Sequence, residues 1–390
     1  MNDLWTEVGY VSLNKQGETL CGDRVETSGG GEEDVTLVLA DGLGSGVKAN
    51  ILATLTSKIV CTLASGGLPI EECVSAIAST LPVCSVRQVA YSTFTLIRVT
   101  GNRMAHIIQF DNPATIVLRG GEVFSYPTTT RVISGKSIWE SAFPVECGDM
   151  FISLSDGAEF AGVGRALNFG WTRDAIATFA SANYQPDSSA KTMAGMIADE
   201  CSRLYGGKPG DDATIAVLRI RGRHPVNLVV GPPATRDQDM KMMNLFFAKE
   251  GAKIVCGGTT GGLAASYLHR TLVPTLDYPD PDVPPISHIE GVDLVTEGVV
   301  TLSKVLTYAR DFLDSARLAP AWATGRDGAS LIARELFENA TDINFFVGLA
   351  INPAHQNPDL PITFGVKQQL IQNLAECLEK MGKHIRLSYF

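Results

Sequence analysis

The chain has 390 residues, 45% of them hydrophobic and 19% charged, with a formal net charge of −10. That length favours two domains over one, and both halves hold enough apolar residues for an ordinary core. The acidic balance excludes a nucleic-acid-binding surface, which needs clustered lysines and arginines that the sequence lacks.

Taken in order, residues 7–13 alternate as a strand does, and residues 35–40 form an apolar run that ends in Asp41-Gly42-Leu43-Gly44-Ser45-Gly46. A helix is expected over 47–66, with Ala49, Ile51, Leu52, Leu55, Ile59 and Val60 as its apolar face. A second follows over 69–80, entered at Pro69 and carrying Glu71 and Glu72 in its first turn. Strands are read at 91–99, 104–110, 115–118 and 150–154, helices at 172–182 and 188–205, and a last buried strand at 213–220. Strands in a block with helices in pairs predict α+β layering. Arg221-Gly222-Arg223-His224-Pro225 is charged, holds Gly and Pro, and separates two apolar strands. It places a boundary between domains at 1–222 and 226–390.

The second half reads differently. A strand at 226–230, a helix at 237–249, a strand at 253–256 and a helix from Leu263 make a βαβα series with short loops, hence a parallel α/β sheet. Residues 278–285 are a proline-rich loop, and His288, Glu290, Asp293 and Glu297 read as a solvated polar face rather than a metal site. An amphipathic helix over 366–382 and a strand over 384–389 close the chain. The eight cysteines (Cys21, Cys61, Cys73, Cys84, Cys147, Cys201, Cys256, Cys377) include no C-x-x-C pair and sit mostly in apolar contexts, as reduced core residues do. With no leader and no apolar run near the length of a membrane span, a cytoplasmic protein with no membrane partner is expected.

Four acidic positions stand in similar settings: Asp23 after Cys21-Gly22, Asp41 at a strand end, Asp156 in Ser155-Asp156-Gly157, and the pair Asp211-Asp212 at the start of a strand. Carboxylates beside glycines, with no Cys/His cluster, form an oxygen-only donor set that suits Mg2+ or Mn2+ better than zinc or copper.

The order Gly-Asp, Asp-Gly-x-Gly-x-Gly, Ser-Asp-Gly, Gly-Asp-Asp-x-Thr resembles the metal-dependent PPM protein phosphatases, and within them the SpoIIE-type bacterial serine phosphatases, over about residues 5–221. The segment from Gln109 to Arg119, with Asn112-Pro113 before an apolar strand and an Arg, fits as well. The resemblance implies an α+β PPM-type β-sandwich flanked by helices, followed here by a second α/β domain. It implies a protein serine/threonine phosphatase with two Mn2+ or Mg2+ ions: Asp41 bridging, Gly42 through its carbonyl and Asp23 on one ion, Asp156 and Asp211 on the other. Asp212 comes last, because many relatives need only the first acid of that pair. Such a site would activate a water shared by the ions and hydrolyse phosphoserine or phosphothreonine of a signalling partner. The resemblance also allows a homodimer.

Two departures weigh on activity. Leu43 stands where eukaryotic relatives carry a His able to protonate the leaving group, and no arginine before Asp23 matches their phosphate-gripping one. Both favour a slow, partner-specific phosphatase; the competing reading is a weak or inactive sensor or scaffold on the same fold. Residues 226–390 resemble no recognised family. Their turn Gly257-Gly258-Thr259-Thr260 opens a helix, where free N–H groups and the helix dipole favour an anion or small-molecule ligand. It is neither a Walker A nor a G-x-G-x-x-G sequence, so it reads first as a structural turn, with ligand binding as the alternative.

Overall fold

Period-2 alternation of apolar residues builds the first unit from both sides of each strand. The structure, a computed structural model, describes residues 3–29, 34–80, 92–133, 135–314, 321–350 and 363–390. Cys84 and Tyr91 of the sequence reading lie outside these. The chain divides into two units, one running to Gly222 and the other beginning at Arg223.

The first unit opens with β1 (Leu4–Leu13), β2 (Asp23–Ser28) and β3 (Val35–Gly42), followed by α1 (Gly46–Ser65) and α2 (Ile70–Thr80). Next come β4 (Ser92–Thr100), β5 (Met104–Phe110), β6 (Ile116–Arg119), β7 (Glu122–Val123), β8 (Thr129–Ile133), β9 (Lys136–Pro144) and β10 (Met150–Leu154). Then α3 (Asp156–Glu159), α4 (Arg173–Ala182) and α5 (Ala190–Leu204) lead into β11 (Ala213–Gly222). One sheet has the order β1-β11-β10-β6-β7 and the other β2-β3-β4-β5-β9-β8, antiparallel throughout.

Leu37 and Leu39 of β3 join Ile97, Ile107, Phe151 and Leu218 in a core between the sheets. Their neighbours Val38 and Ala40 face the other way, onto Leu52, Ala53 and Val60 of α1. The second sheet repeats the pattern: Phe151 points into the sandwich, while Ile152 and Leu154 meet Ile176 of α4 and Met193 and Ile197 of α5. Each such side chain taken from water contributes about 1.5–3 kcal/mol. The result is the helix–sheet–sheet–helix arrangement of the PPM phosphatases. β2, β8 and β9 escaped the sequence reading, because their exposed faces carry charged and polar residues that blur the alternation.

Two expectations about α1 need correction. Ile51 and Leu55 are 54% and 47% exposed, so the buried face runs instead through Ala49, Leu52, Ala53, Val60 and Cys61. This 20-residue helix is also long and apolar enough to meet the length and hydropathy of a membrane span. The small residues on its buried face bring it down onto β3, as in a core helix.

The second unit contains β12 (Pro225–Val230), α6 (Asp239–Ala248), β13 (Ala252–Cys256), α7 (Gly258–Leu268), β14 (Val273–Pro274), β15 (Ser287–His288) and β16 (Leu294–Thr296). It continues with α8 (Val299–Asp314), α9 (Gly328–Ala333), β17 (Asp342–Val347), α10 (Thr363–Lys380) and β18 (His384–Tyr389). The sheet order is β14-β15-β16-β13-β12-β17-β18, parallel from β16 to β18 with an antiparallel edge. Leu228, Ile254 and Phe345 bury one face against α8 and α10, and Val229, Val255 and Phe346 bury the other against α6 and α7. Helices on both faces explain why these strands read as continuous apolar runs.

α7 begins at Gly258, not at Leu263. Gly257 takes the left-handed φ of 110° that ends the strand, and Gly258, Gly261 and Gly262 continue as helix. The low helix propensity of glycine is overridden by packing: Gly261 sits where a β-carbon would touch Leu272 and Val295. His288, Glu290, Asp293 and Glu297 form no metal group; Asp293 accepts from the Lys253 N–H (2.6 Å) and Glu290 pairs with Arg270 (3.3 Å).

Candidate active site

Strand register sets the first two carboxylates side by side. β2 and β3 pair so that Asp23 lies directly opposite Asp41, and both fall on the strand face that carries Val25, Leu37 and Leu39 into the sandwich. They therefore stand at the rim between the two sheets. The other sheet supplies the remaining acids at the same rim. Ser155, following β10, donates from Oγ to Asp23 Oδ2 (2.7 Å) and accepts at Oγ from the Thr214 N–H (2.8 Å). That pair of bonds ties the end of β10 and the start of β11 to β2. Asp156 is the next residue, and Asp211 and Asp212 immediately precede β11.

Asp41 is within hydrogen-bonding reach of Asp156 and feels the charges of Asp23, Asp156 and Asp211. Burial, and then repulsion from neighbouring carboxylates, holds the Asp41 pKa far above the usual range. Asp23 and Asp156 are also raised, again by burial first; for Asp23 the Ser155 and Thr214 hydrogen bonds work against the rise. Asp23 and Asp212 are buried, Asp41 and Asp211 half-buried, and Asp156 exposed, so the cluster opens to solvent on the Asp156 side.

Lys15 was not anticipated. Its N–H donates to Asp212 Oδ1 (2.9 Å) and its ammonium lies 3.5 Å from Asp211 Oδ1. Adjacent carboxylates called for a nearby cation, but nothing local to 211–212 indicated one almost two hundred positions earlier. Ser155 was visible only as part of a motif. Thr93, opposite Asp41 on β4, donates to Asn112 Oδ1 (2.5 Å), which gives the Asn112-Pro113 segment a bracing role behind the acids. The Gly42 N–H donates to Gly22 O (3.2 Å), and Gly42 follows Asp41 at the rim as expected.

The glycines after Asp41 and Asp156 are required by close approach. A β-carbon on Gly42 would lie 2.1 Å from Ala49 O of α1, and one on Gly157 would lie 2.0 Å from Asp212 O. Gly157→Ala is thus expected to push the acidic strand ends apart. It should lower stability by about 1–3 kcal/mol or more, read as a lower urea midpoint at unchanged slope.

As the side chains stand, no three His, Cys, Asp or Glu residues among those described close into a metal-binding group. The donors nevertheless fit hard divalent ions. They are all oxygens, their mutual repulsion is of the kind a cation relieves, and Asp212 Oδ2 is buried with no hydrogen-bond partner among the described residues. The anion loop of the second unit is a separate place in the fold. Gly257 precedes α7, and Gly258, Thr259 and Thr260 form its first turn.

A two-sheet sandwich with carboxylates from both sheets at one rim defines a PPM-type phosphatase domain. Residues 31–221 match the family model "Stage II sporulation protein E (SpoIIE)". The match to the SpoIIE family model lies within the first unit and does not extend into the second. Among solved structures, the phosphatase domain of the cell fate determinant SpoIIE from Bacillus subtilis is similar at 19% identity, with 58% of this chain and 96% of that one covered and a TM-score of 0.44. A longer SpoIIE structure, with a fragment of the regulatory domain, gives 19% identity, 56% and 65% coverage, and a TM-score of 0.48. The SiaA-PP2C domain of Pseudomonas aeruginosa gives 19%, 54% and 85%, and 0.43. No curated protein matches the chain.

Proposed function

We propose that the first unit is a metal-dependent protein serine/threonine phosphatase that hydrolyses phosphoserine or phosphothreonine on a signalling partner. The observation that carries this reading is the gathering of Asp23, Asp41, Asp156 and Asp211 from four strand ends at one solvent-open rim of a SpoIIE-family domain. Two Mn2+ or Mg2+ ions, when bound, would supply Lewis-acid activation of water and neutralise the phosphoryl oxygens.

The chain's own residues prepare that chemistry. Asp41 is the central carboxylate, in reach of the others, and would hold metal together with Asp23, Asp156, Asp211 and the Gly42 carbonyl. Ser155 donates to one oxygen of Asp23 and fixes the orientation of the carboxylate. Asp212 stands behind Asp211, anchored by the Lys15 N–H. Leu43 has no proton to give, so the leaving serine or threonine oxygen is protonated from solvent, which reaches the site beside Asp156. A phosphorylated protein would reach the acids where the rim opens beside Asp156.

The test is phosphate release from phosphoserine and phosphothreonine peptides, and from p-nitrophenyl phosphate, with Mn2+ or with EDTA. Turnover should require the metal and disappear in Asp156→Asn. Wild type and variant equally inert while Mn2+ still binds would instead make the unit a metal-binding scaffold. Mn2+ at a hundredfold its dissociation constant should also stabilise the native protein by about 2.7 kcal/mol. Thermal unfolding in Mn2+ should show this as a higher midpoint, and the Asp41→Asn variant should show less.

A further inference from the structure

We infer that the second unit binds a small phosphorylated sugar, such as a nucleotide, at the C-terminal ends of β13 and β16. Taken in chain order, the five parallel strands β12, β13, β16, β17 and β18 lie as third, second, first, fourth and fifth across the sheet. This is a doubly wound order, and in such sheets ligands lie beyond the carboxyl ends of the strands. The reversal point, between β12 and β17, is closed by backbone. Gly348 N–H donates to Val230 O (2.9 Å), Ala350 N–H to Pro232 O (3.1 Å), and a β-carbon on Gly348 would lie 2.1 Å from Pro232 O. The neighbouring pair of strand ends, those of β13 and β16, leads instead into two helix N-termini.

There the turns after β13 and β16 meet. Gly257 N–H donates to Thr296 O (2.9 Å), and the β-carbon that Gly257 lacks would fall 3.3 Å from Thr260 Oγ1 and 4.0 Å from the Gly298 α-carbon. α7 starts one residue after Gly257 and α8 one residue after Gly298, so two helix N-termini with their positive ends come to the same edge. No side chain caps α7, and its first intrahelical bond is the one from Gly261 N–H to Gly257 O (2.8 Å). The N–H groups of Gly258, Thr259 and Thr260 therefore precede the helical ladder.

Three polar atoms around these turns have no partner among the described residues. Thr260 Oγ1 and Thr301 Oγ1 belong to fully buried residues in the first turns of α7 and α8, and Glu297 Oε2 lies in the turn after β16. A buried hydroxyl or carboxylate oxygen without a partner loses its hydration and gains nothing in return. A phosphate on the α7 N-terminus would take the Thr260 hydroxyl and the first-turn amides. A sugar hydroxyl would donate to Glu297, as an acid at the end of the adjacent strand does for ribose in dinucleotide folds. Gly258 agrees with this placement: its conformation is helical and a β-carbon there would meet nothing within 4 Å, so neither backbone nor packing demands glycine.

The experiment titrates the full chain, without divalent metal, with ribose 5-phosphate, AMP and inorganic phosphate by calorimetry. At least one of the two esters should saturate at least tenfold more tightly than inorganic phosphate. Glu297→Gln should weaken the esters at least tenfold and leave inorganic phosphate unchanged. Gly258→Ala should weaken all three while its thermal midpoint equals or exceeds that of wild type, since alanine suits an unstrained helix better. Asp41→Asn should bind as wild type does, which separates this site from the phosphatase rim. No saturation by either ester at millimolar concentration, equal affinity for inorganic phosphate, or indifference to both second-unit variants would each overturn the inference.

Discussion

Asp41→Asn is expected to reduce metal-dependent phosphate release by roughly a thousandfold or more, equivalent to ~4 kcal/mol of transition-state stabilisation. The carboxylate it removes touches Asp156 and is surrounded by Asp23 and Asp211, so it is the member of the cluster with no substitute. Asparagine keeps the shape and removes the charge. Circular dichroism and the thermal midpoint of the metal-free protein should therefore stay native-like while activity and the Mn2+-induced rise in midpoint both fall. A variant retaining more than a tenth of wild-type turnover at saturating Mn2+ would remove Asp41 from the centre of the reaction.

Arg119→Met should be the most damaging change away from the rim, destabilising the first unit by about 3–5 kcal/mol. Arg119 grips the fully buried Asp149 through two bonds, Nε to Oδ1 and Nη2 to Oδ2, both 2.8 Å. It also donates to Glu146 Oε1 (2.7 Å) and Pro144 O (3.0 Å), with its guanidinium 4.1 Å from the Phe124 ring centre. Methionine keeps the length of the side chain and strands the Asp149 carboxylate in the interior. Adding Asp149→Asn to that variant removes the stranded charge and should recover part of the loss. Urea unfolding of the two single variants and the double variant measures the coupling. A loss below about 1 kcal/mol for Arg119→Met would show the pair to be an ordinary surface bridge.

The two residues illustrate how far a chain can be read from its letters. Arg119 was found as the end of a motif, with no indication that it serves the core rather than the chemistry. Its partner Asp149 looked like any loop acid. Lys15 had no distinguishing local pattern and Ser155 only its place in Ser-Asp-Gly, because what matters is the carboxylate each meets far along the chain. Asp41 and Asp156 were legible for a simple reason: an apolar strand that ends in a carboxylate and then glycine leaves that carboxylate at a rim. In α1, composition misled, since Ile51 and Leu55 are as apolar as the residues that are buried. The Gly257–Gly262 turn became a helix start because burial of Thr260, Gly261, Ala264 and Ala265 against the sheet outweighs the reluctance of glycine to enter a helix.

By itself the sequence determined where many of the strands and helices lie, which acids terminate apolar strands, and that the second half alternates strand and helix as a parallel α/β sheet does. These are local properties, carried by side-chain period and by the backbone demands of glycine and proline. Tertiary structure alone decided that Asp23 faces Asp41, that Ser155 and Lys15 serve the acids, and that Thr260 and Glu297 stand at neighbouring strand ends. The reason is physical: antiparallel register and strand order bring together atoms separated by up to two hundred residues, and no stretch of chain records its partner in a distant strand.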